Sequence, residues 1–240
     1  MKKTTIFLAM SIFCFPFEGY AGGCISGNCI NGYGKAIGSD GLSYEGMWKD
    51  GKANGPGLKK EPNGRVYAGE WAEGSLNGFG FSFMPNDHRY VGEWQDGQPN
   101  GQGIQTKADG SISSGTFKNG KLDGKGIVYN PDGKSYEGEW KEGSLTGHGR
   151  SIDPEGTSYE GYWKDGKPNG QGIQKNISGG SYEGAWKDGH PYGRGVLISD
   201  DGRKYVGDLK NGKPHGQGIE TTPEGQKFEG NWIDGKLKIK

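Results

Sequence analysis

The sequence predicts an all-β protein, an elongated, single-file antiparallel β-meander of hairpins, on three observations. Two large apolar residues, four apart, recur along the chain with a constant period of 23. Glycine supplies 50 of 240 residues and hydrophobic residues only 30%, too little aliphatic mass for an ordinary core. Asp-Gly, Asn-Gly and Pro-x-Gly turn signals follow each pair in fixed phase. Glycine at this level without a three-residue period excludes collagen, and 12% aromatic content is too high for a disordered linker.

The chain opens on a different kind of sequence. Lys2 and Lys3 precede an apolar run from Ile6 to Phe17, and Gly19 and Ala21 place small residues where a signal peptidase reads, so residues 1–21 read as a secretory signal peptide. The run of 12 residues is short of a membrane-spanning helix. Export would place the protein in the periplasm, at the outer envelope or beyond the cell. Cys14 leaves with the signal, and an oxidising compartment makes a disulfide between Cys24 and Cys29 the expected state, with lipidation of Cys24 as the alternative. Two cysteines without a neighbouring histidine make a poor zinc site, and no metal or cofactor is expected. Residues 22–43 read as a degenerate half repeat, in which Gly32 and Gly34 keep their phase while Ala21 and Ile25 replace the rings.

Residues 44–240 hold nine 23-residue copies, starting at Tyr44, Tyr67, Tyr90, Ser113, Tyr136, Tyr159, Tyr182, Tyr205 and Phe228. Four residues on stands Trp48, Trp71, Trp94, Phe117, Trp140, Trp163, Trp186, Leu209 or Trp232, with a glycine midway. Side chains alternate along a strand, so both rings and the glycine share one face, and residues such as Glu137, Glu160 and Glu183 make the other face wet. An Asp-Gly or Asn-Gly turn follows, as at Asp165-Gly166, supplying the positive φ of a tight hairpin. A second strand opens on Gly-x-Gly and an aliphatic residue, as at Gly101 to Ile104, and a Pro-x-Gly turn such as Pro131 to Gly133 returns the chain. A ribbon this thin has no interior, so its rings must lie flat on neighbouring main chain, and glycine lets them approach. The departures at Ser113, Leu209 and Asn86 to His88 predict local bends or looseness, and Lys236 to Lys240 predicts a charged last edge strand.

The pattern Tyr-x-Gly-x-Trp-x-x-Gly-x-x-x-Gly-x-Gly closely resembles the MORN (membrane occupation and recognition nexus) repeat, from about Gly32 to Lys240. The resemblance implies an elongated antiparallel β-ribbon with an aromatic-lined face, and a role as a scaffold, dimerisation or membrane-association module. The residues themselves argue against an enzyme. His88, His148, His190 and His215 fall at four different repeat positions, and every Gly-x-Gly recurs without a helix behind it to hold a phosphate. Lys plus Arg equals Asp plus Glu at 29 each, so no global field draws nucleic acid. Neighbouring Lys and Asp, as at Lys49-Asp50 and Lys164-Asp165, read as a solvated rim, and the Asn176 sequon reads as chance.

Two readings of the aromatic face stay open. Its rings are either packed on glycine, or partly exposed along a groove where they stack on a sugar, clamp a peptide or rest at a lipid headgroup boundary. On the second reading the candidate binding residues are Trp94, Tyr136, Trp140, Tyr159, Trp163, Tyr182 and Trp186. The expected function is an exported, non-catalytic scaffold with a protein partner and a capacity for self-association. The alternative is a peripheral binder of membrane lipid headgroups or cell-wall glycan.

Overall fold

The computed structural model describes residues 23–238, which form 20 strands in one open antiparallel sheet and no helix. The segment read as a signal peptide lies outside the described residues. Cys24–Gly27 and Gly32–Ile37 lead in. Seven-residue strands then alternate with nine-residue ones, from Ser43–Lys49 and Lys52–Lys60 through Ser158–Lys164 and Lys167–Lys175 to Lys204–Lys210 and Lys213–Thr221. Lys227–Ile233 and the two-residue Lys236–Leu237 close the sheet. The expected single-file meander of hairpins is what forms, each strand pairing with its neighbours in the chain.

Each hairpin tip is a two-residue turn with both φ values positive, as at Asp165 (50°) and Gly166 (76°), the twist that suits right-handed strands. The tip glycine N–H reaches back one repeat: Gly166 donates to the Leu145 carbonyl at 2.9 Å and Gly189 to that of Pro168 at 2.9 Å. At the opposite edge, the Asn130–Lys134 turn closes by Asn130 N–H to Lys134 O (2.8 Å) and Gly133 N–H to Asn130 O (2.9 Å). The looseness expected at Asn86 to His88 does not occur. Asp87 takes the glycine's place at φ 61°, and the same two bonds form, Met84 N–H to His88 O at 2.8 Å and Asp87 N–H to Met84 O at 3.0 Å. Aspartate tolerates this conformation better than most residues.

A bulge accompanies each hairpin; Gly161 faces Gly172 while Trp163 faces Pro168. Bulges bend the strand that carries them, and the bent tip halves give a single sheet an inside. One seat then lies above each paired glycine. Where the ninth residue after the tyrosine is small or proline (Ala53, Pro99, Pro168, Pro191, Pro214), the tyrosine of the same hairpin takes the seat. Tyr44, Tyr90, Tyr159, Tyr182 and Tyr205 are buried, and each hydroxyl donates to the main-chain carbonyl three residues on at 2.8–3.2 Å. A Cβ added at Gly57, Gly103, Gly172 or Gly218 would collide with that hydroxyl.

Where the ninth residue is leucine, its methyls take the seat instead. Leu76 Cδ2 stands 2.9 Å from where Gly80 would carry a Cβ, and Leu122 and Leu145 stand likewise over Gly126 and Gly149. Tyr67 and Tyr136 are then displaced and half-buried. In the third of these hairpins Ser113 stands where a ring would have been displaced, which explains why its strand, Ile112–Lys118, keeps full length and regular pairing despite the expected bend. Leu209 likewise sits buried in a full-length strand. The expected Cys24–Cys29 disulfide forms, and Cys29 Sγ, 2.9 Å from the Cβ that Gly34 lacks, occupies the seat of the half repeat.

The indoles report where a tyrosine has been displaced. Trp48, Trp71, Trp140, Trp186 and Trp232 donate Nε1–H to the carbonyls of Gly34, Gly57, Gly126, Gly172 and Gly218 at 2.9–3.1 Å. Trp94 and Trp163 find no acceptor. They follow the two hairpins in which leucine displaces a tyrosine, and the displaced ring lies farther from the indole: 6.3 Å for Tyr67–Trp94 and 6.0 Å for Tyr136–Trp163, against 4.8 Å for Tyr159–Trp186.

Candidate functional site

The structure buries five of the seven candidate rings. Trp94, Tyr159, Trp163, Tyr182 and Trp186 are at most 5% exposed, their edges and faces packed in T-shaped contacts and on glycine. Tyr136 and Trp140 are half-buried. Of the two readings of the aromatic face, packing describes these five rings, and no stacking platform for a sugar remains on them. What is left is a shallow groove of about 220 Å³ bordered by Tyr136, Ser151, Asp153, Pro168, Gln174 and Trp186.

Burial pushes the phenols of Tyr90, Tyr159 and Tyr182 up to about 12, with the Glu93 charge adding to the effect at Tyr90. The folded value lies above the ordinary one near 10, so the neutral phenol is what the fold stabilises. That contribution is complete below pH 10 and is lost as the pH rises from about 10 to 12. An alkaline titration followed by circular dichroism and tyrosinate absorbance should show the sheet melting together with ionisation of the buried tyrosines.

The opposite face departs from the sequence expectation of a wet surface. One row runs straight across the strands, Leu58 facing Ala68, Ala68 facing Phe81, Phe81 facing Val91 and Val91 facing Ile104. Phe79, Val91 and Ile104 are 64%, 40% and 52% exposed. Charge bounds the row on both sides, with Lys35 facing Glu45 before it and, farther on, Glu137 facing Arg150 and Arg150 facing Glu160. Val196, Val206 and Ile219 then restore an apolar row. Glu137, Glu160 and Glu183 misrepresented the face because they come from three consecutive copies. The apolar residue after Gly-x-Gly in every copy but the one with Arg150, and Ala68, Val91 and Val206 at the glutamate position, carry the signal that was there to read. Where apolar and charged sections meet, Ser114, Lys125, Ile127, Glu137, Glu139 and His148 line an open concavity of about 440 Å³.

His148 packs edge-on to Tyr162, and among the described residues no three His, Cys, Asp or Glu side chains gather as metal ligands.

A family model described as MORN repeat matches residues 44–64, 67–89, 90–112, 114–135, 136–158, 159–181, 182–202 and 205–227. The copy starting at Phe228 lies beyond these segments. Among solved structures, the chain is similar to the G-box domain of the microcephaly protein CPAP, at 15% identity over 88% of this chain and 99% of that one, with a TM-score of 0.39. It is also similar to the Drosophila melanogaster SAS-4 TCP domain solved with a proline-rich motif of Ana2, at 14% identity over 74% and 85% of the two chains, with a TM-score of 0.36. No curated protein matches it. The family segments run in phase with the hairpins over most of the length: the chain belongs to the MORN repeat family.

Proposed function

We propose that this protein is an exported, non-catalytic scaffold of the cell envelope that binds a protein partner through its outer face. MORN repeats are protein- and membrane-interaction modules, and the apolar row from Leu58 to Ile104, half-buried at Leu58, Ala68 and Phe81 and exposed at Val91 and Ile104, is the observation that carries the reading. Contiguous exposed apolar residues with a charged surround are the anatomy of an interaction patch. Glu70 and Glu93 flank the row, and Glu93 directly faces Phe79. Such carboxylates oppose docking on an anionic bilayer and suit a protein partner with a basic rim. The apolar leader and the Cys24–Cys29 disulfide support export, since structural disulfides belong to oxidising compartments.

The full chain, expressed with its leader and recovered from the envelope, tests this in comparison with a Val91→Glu, Ile104→Glu variant. Both sites are exposed, so the fold should persist, with a melting temperature lowered slightly because the two glutamates face each other, while the proteins retained by wild type are lost. Equal capture by the two, or pelleting of wild type with anionic vesicles at low salt in place of protein capture, would overturn the reading in favour of a different surface or a lipid ligand.

A further inference from the structure

The edge built from hairpin tips carries charge that the fold does not require. Residues flanking each tip turn face one another across the hairpin. In four hairpins both are lysine: Lys49 faces Lys52, Lys118 faces Lys121, Lys164 faces Lys167 and Lys210 faces Lys213, while Lys187 faces His190. Like charges directly opposed weaken a strand pair. Neutral pairs serve the same place elsewhere, Ala72 facing Ser75 and Gln95 facing Gln98.

With Lys141, the tips from residue 118 to 213 hold eight exposed lysines, none of them in a salt bridge among the described residues. Asp123, Glu142, Asp165 and Asp188 are the acids at these tips, so eight lysines against four acids leave a net +4 in a chain whose total is +0. Several edge cations elsewhere are paired: Lys59 bonds Glu61, Arg89 bonds Asp87, Lys134 bonds Asp132 and Arg203 bonds Asp201 in return turns, and at the first tips Lys52 bonds Glu73. Pairing of charge is therefore available to this fold on both edges, and the tip lysines from 118 to 213 stand outside it.

We propose that the tip edge from Lys118 to Lys213 is a docking ridge for an extended acidic segment of a partner protein. The inference rests on the scaffold reading above and names the chemistry of the partner. Successive tips are two strands, about 10 Å, apart, and an extended peptide advances about 3.3 Å per residue, so an acidic side chain at every third residue meets each tip in turn. A nucleic-acid strand carries phosphates about every 3.4 Å, denser than these tips neutralise. Tyr192 lies beside the Lys187 tip, its ring centre 5.3 Å from the ammonium, but an isolated ring does not supply the successive platforms on which bases stack. Neighbouring strands also rotate by about 20°. A flexible chain follows such a ridge around the ribbon, whereas a flat bilayer meets only part of it.

The test uses the full chain and fluorescein-labelled poly-L-glutamate, read by anisotropy across a salt series. The tip variant carries Lys164→Glu, Lys167→Glu, Lys210→Glu and Lys213→Glu. Each pair stays like-charged, so the hairpins keep their repulsion and the melting temperature should be unchanged. The control makes the same charge change on the return edge, with Lys107→Glu, Lys175→Glu, Lys204→Glu and Lys227→Glu, all exposed in the native chain. Wild type is expected to bind, the tip variant to lose about tenfold or more in affinity and the control less than about twofold. Lys167→Glu alone turns one opposed pair attractive, so it should raise the melting temperature while lowering affinity. Equal loss in tip variant and control, no binding by wild type, or tighter binding to phosphatidylglycerol vesicles than to polyglutamate would each overturn the ridge. If the tip variant still captures the envelope proteins that the Val91→Glu, Ile104→Glu variant loses, the ridge fails while the scaffold reading stands.

Discussion

Gly172→Ala should cost about 3 kcal/mol or more, and Gly80→Ala only about 1 kcal/mol, although both glycines occupy the same repeat position. Neither requires a positive φ, so the difference isolates packing. At Gly172 the added methyl lands on the Tyr159 hydroxyl and ring. Tyr159 is buried and bonded to the Tyr162 carbonyl at 3.0 Å, and it cannot yield without leaving its seat. At Gly80 the nearest atom is the Leu76 Cδ2 methyl at 2.9 Å, then the Ala68 carbonyl at 3.1 Å, and a leucine terminus can rotate. Because each repeat touches mainly its neighbours, the loss is local. Hydrogen exchange at the amides of each hairpin, alongside urea unfolding, reads it directly.

Removing the rings themselves should show the same asymmetry. Tyr159→Ala is expected to cost about 3–5 kcal/mol, the usual range for deleting a buried aromatic side chain. Tyr136→Ala should cost about 1 kcal/mol, since Leu145 already fills the seat and the tyrosine lies half outside. The converse applies to the leucine. Leu145→Ala should fall below the roughly 2–5 kcal/mol of an ordinary buried leucine, because Tyr136 can move in as its counterparts do, restoring an acceptor at Gly149 for the orphaned Trp163 indole. Thermal unfolding of the three variants checks this. Equal costs for Tyr136→Ala and Tyr159→Ala would remove the idea of two occupants for one seat.

The period of the pattern and the Asp-Gly tips were legible because both are local: a turn needing two positive φ values selects its own residues, and Asp165-Gly166 adopts them. The exchange of tyrosine for leucine was not. Its signal, proline or leucine at the ninth position, is plain in the chain, but its meaning depends on the bulge that brings Pro168 opposite Trp163 and shifts the later half of the strand. Without that register Ser113 looks like a damaged repeat, when it is the partner that an inward Leu122 needs.

Of the two readings open for the candidate rings, a flat ribbon would have left the rings exposed, while the bent one covers Trp94, Tyr159, Trp163, Tyr182 and Trp186 and leaves Tyr136 and Trp140 half-buried. The tip charges were hidden for a related reason. Along the chain the first lysine of each tip stands beside an asparagine, aspartate or glutamate, and only pairing across the hairpin sets Lys164 against Lys167.

The account depends most on the rings being enclosed within the folded sheet. Limited iodination of the native chain, mapped by mass spectrometry, tests that tyrosine by tyrosine. Tyr33, Tyr129, Tyr162 and Tyr192 stand exposed and should label first, Tyr67 and Tyr136 more slowly, and Tyr44, Tyr90, Tyr159, Tyr182 and Tyr205 only on unfolding. Labelling of Tyr159 and Tyr182 in the native state as fast as that of Tyr136 would contradict it, and would return those rings to service as a ligand-binding face.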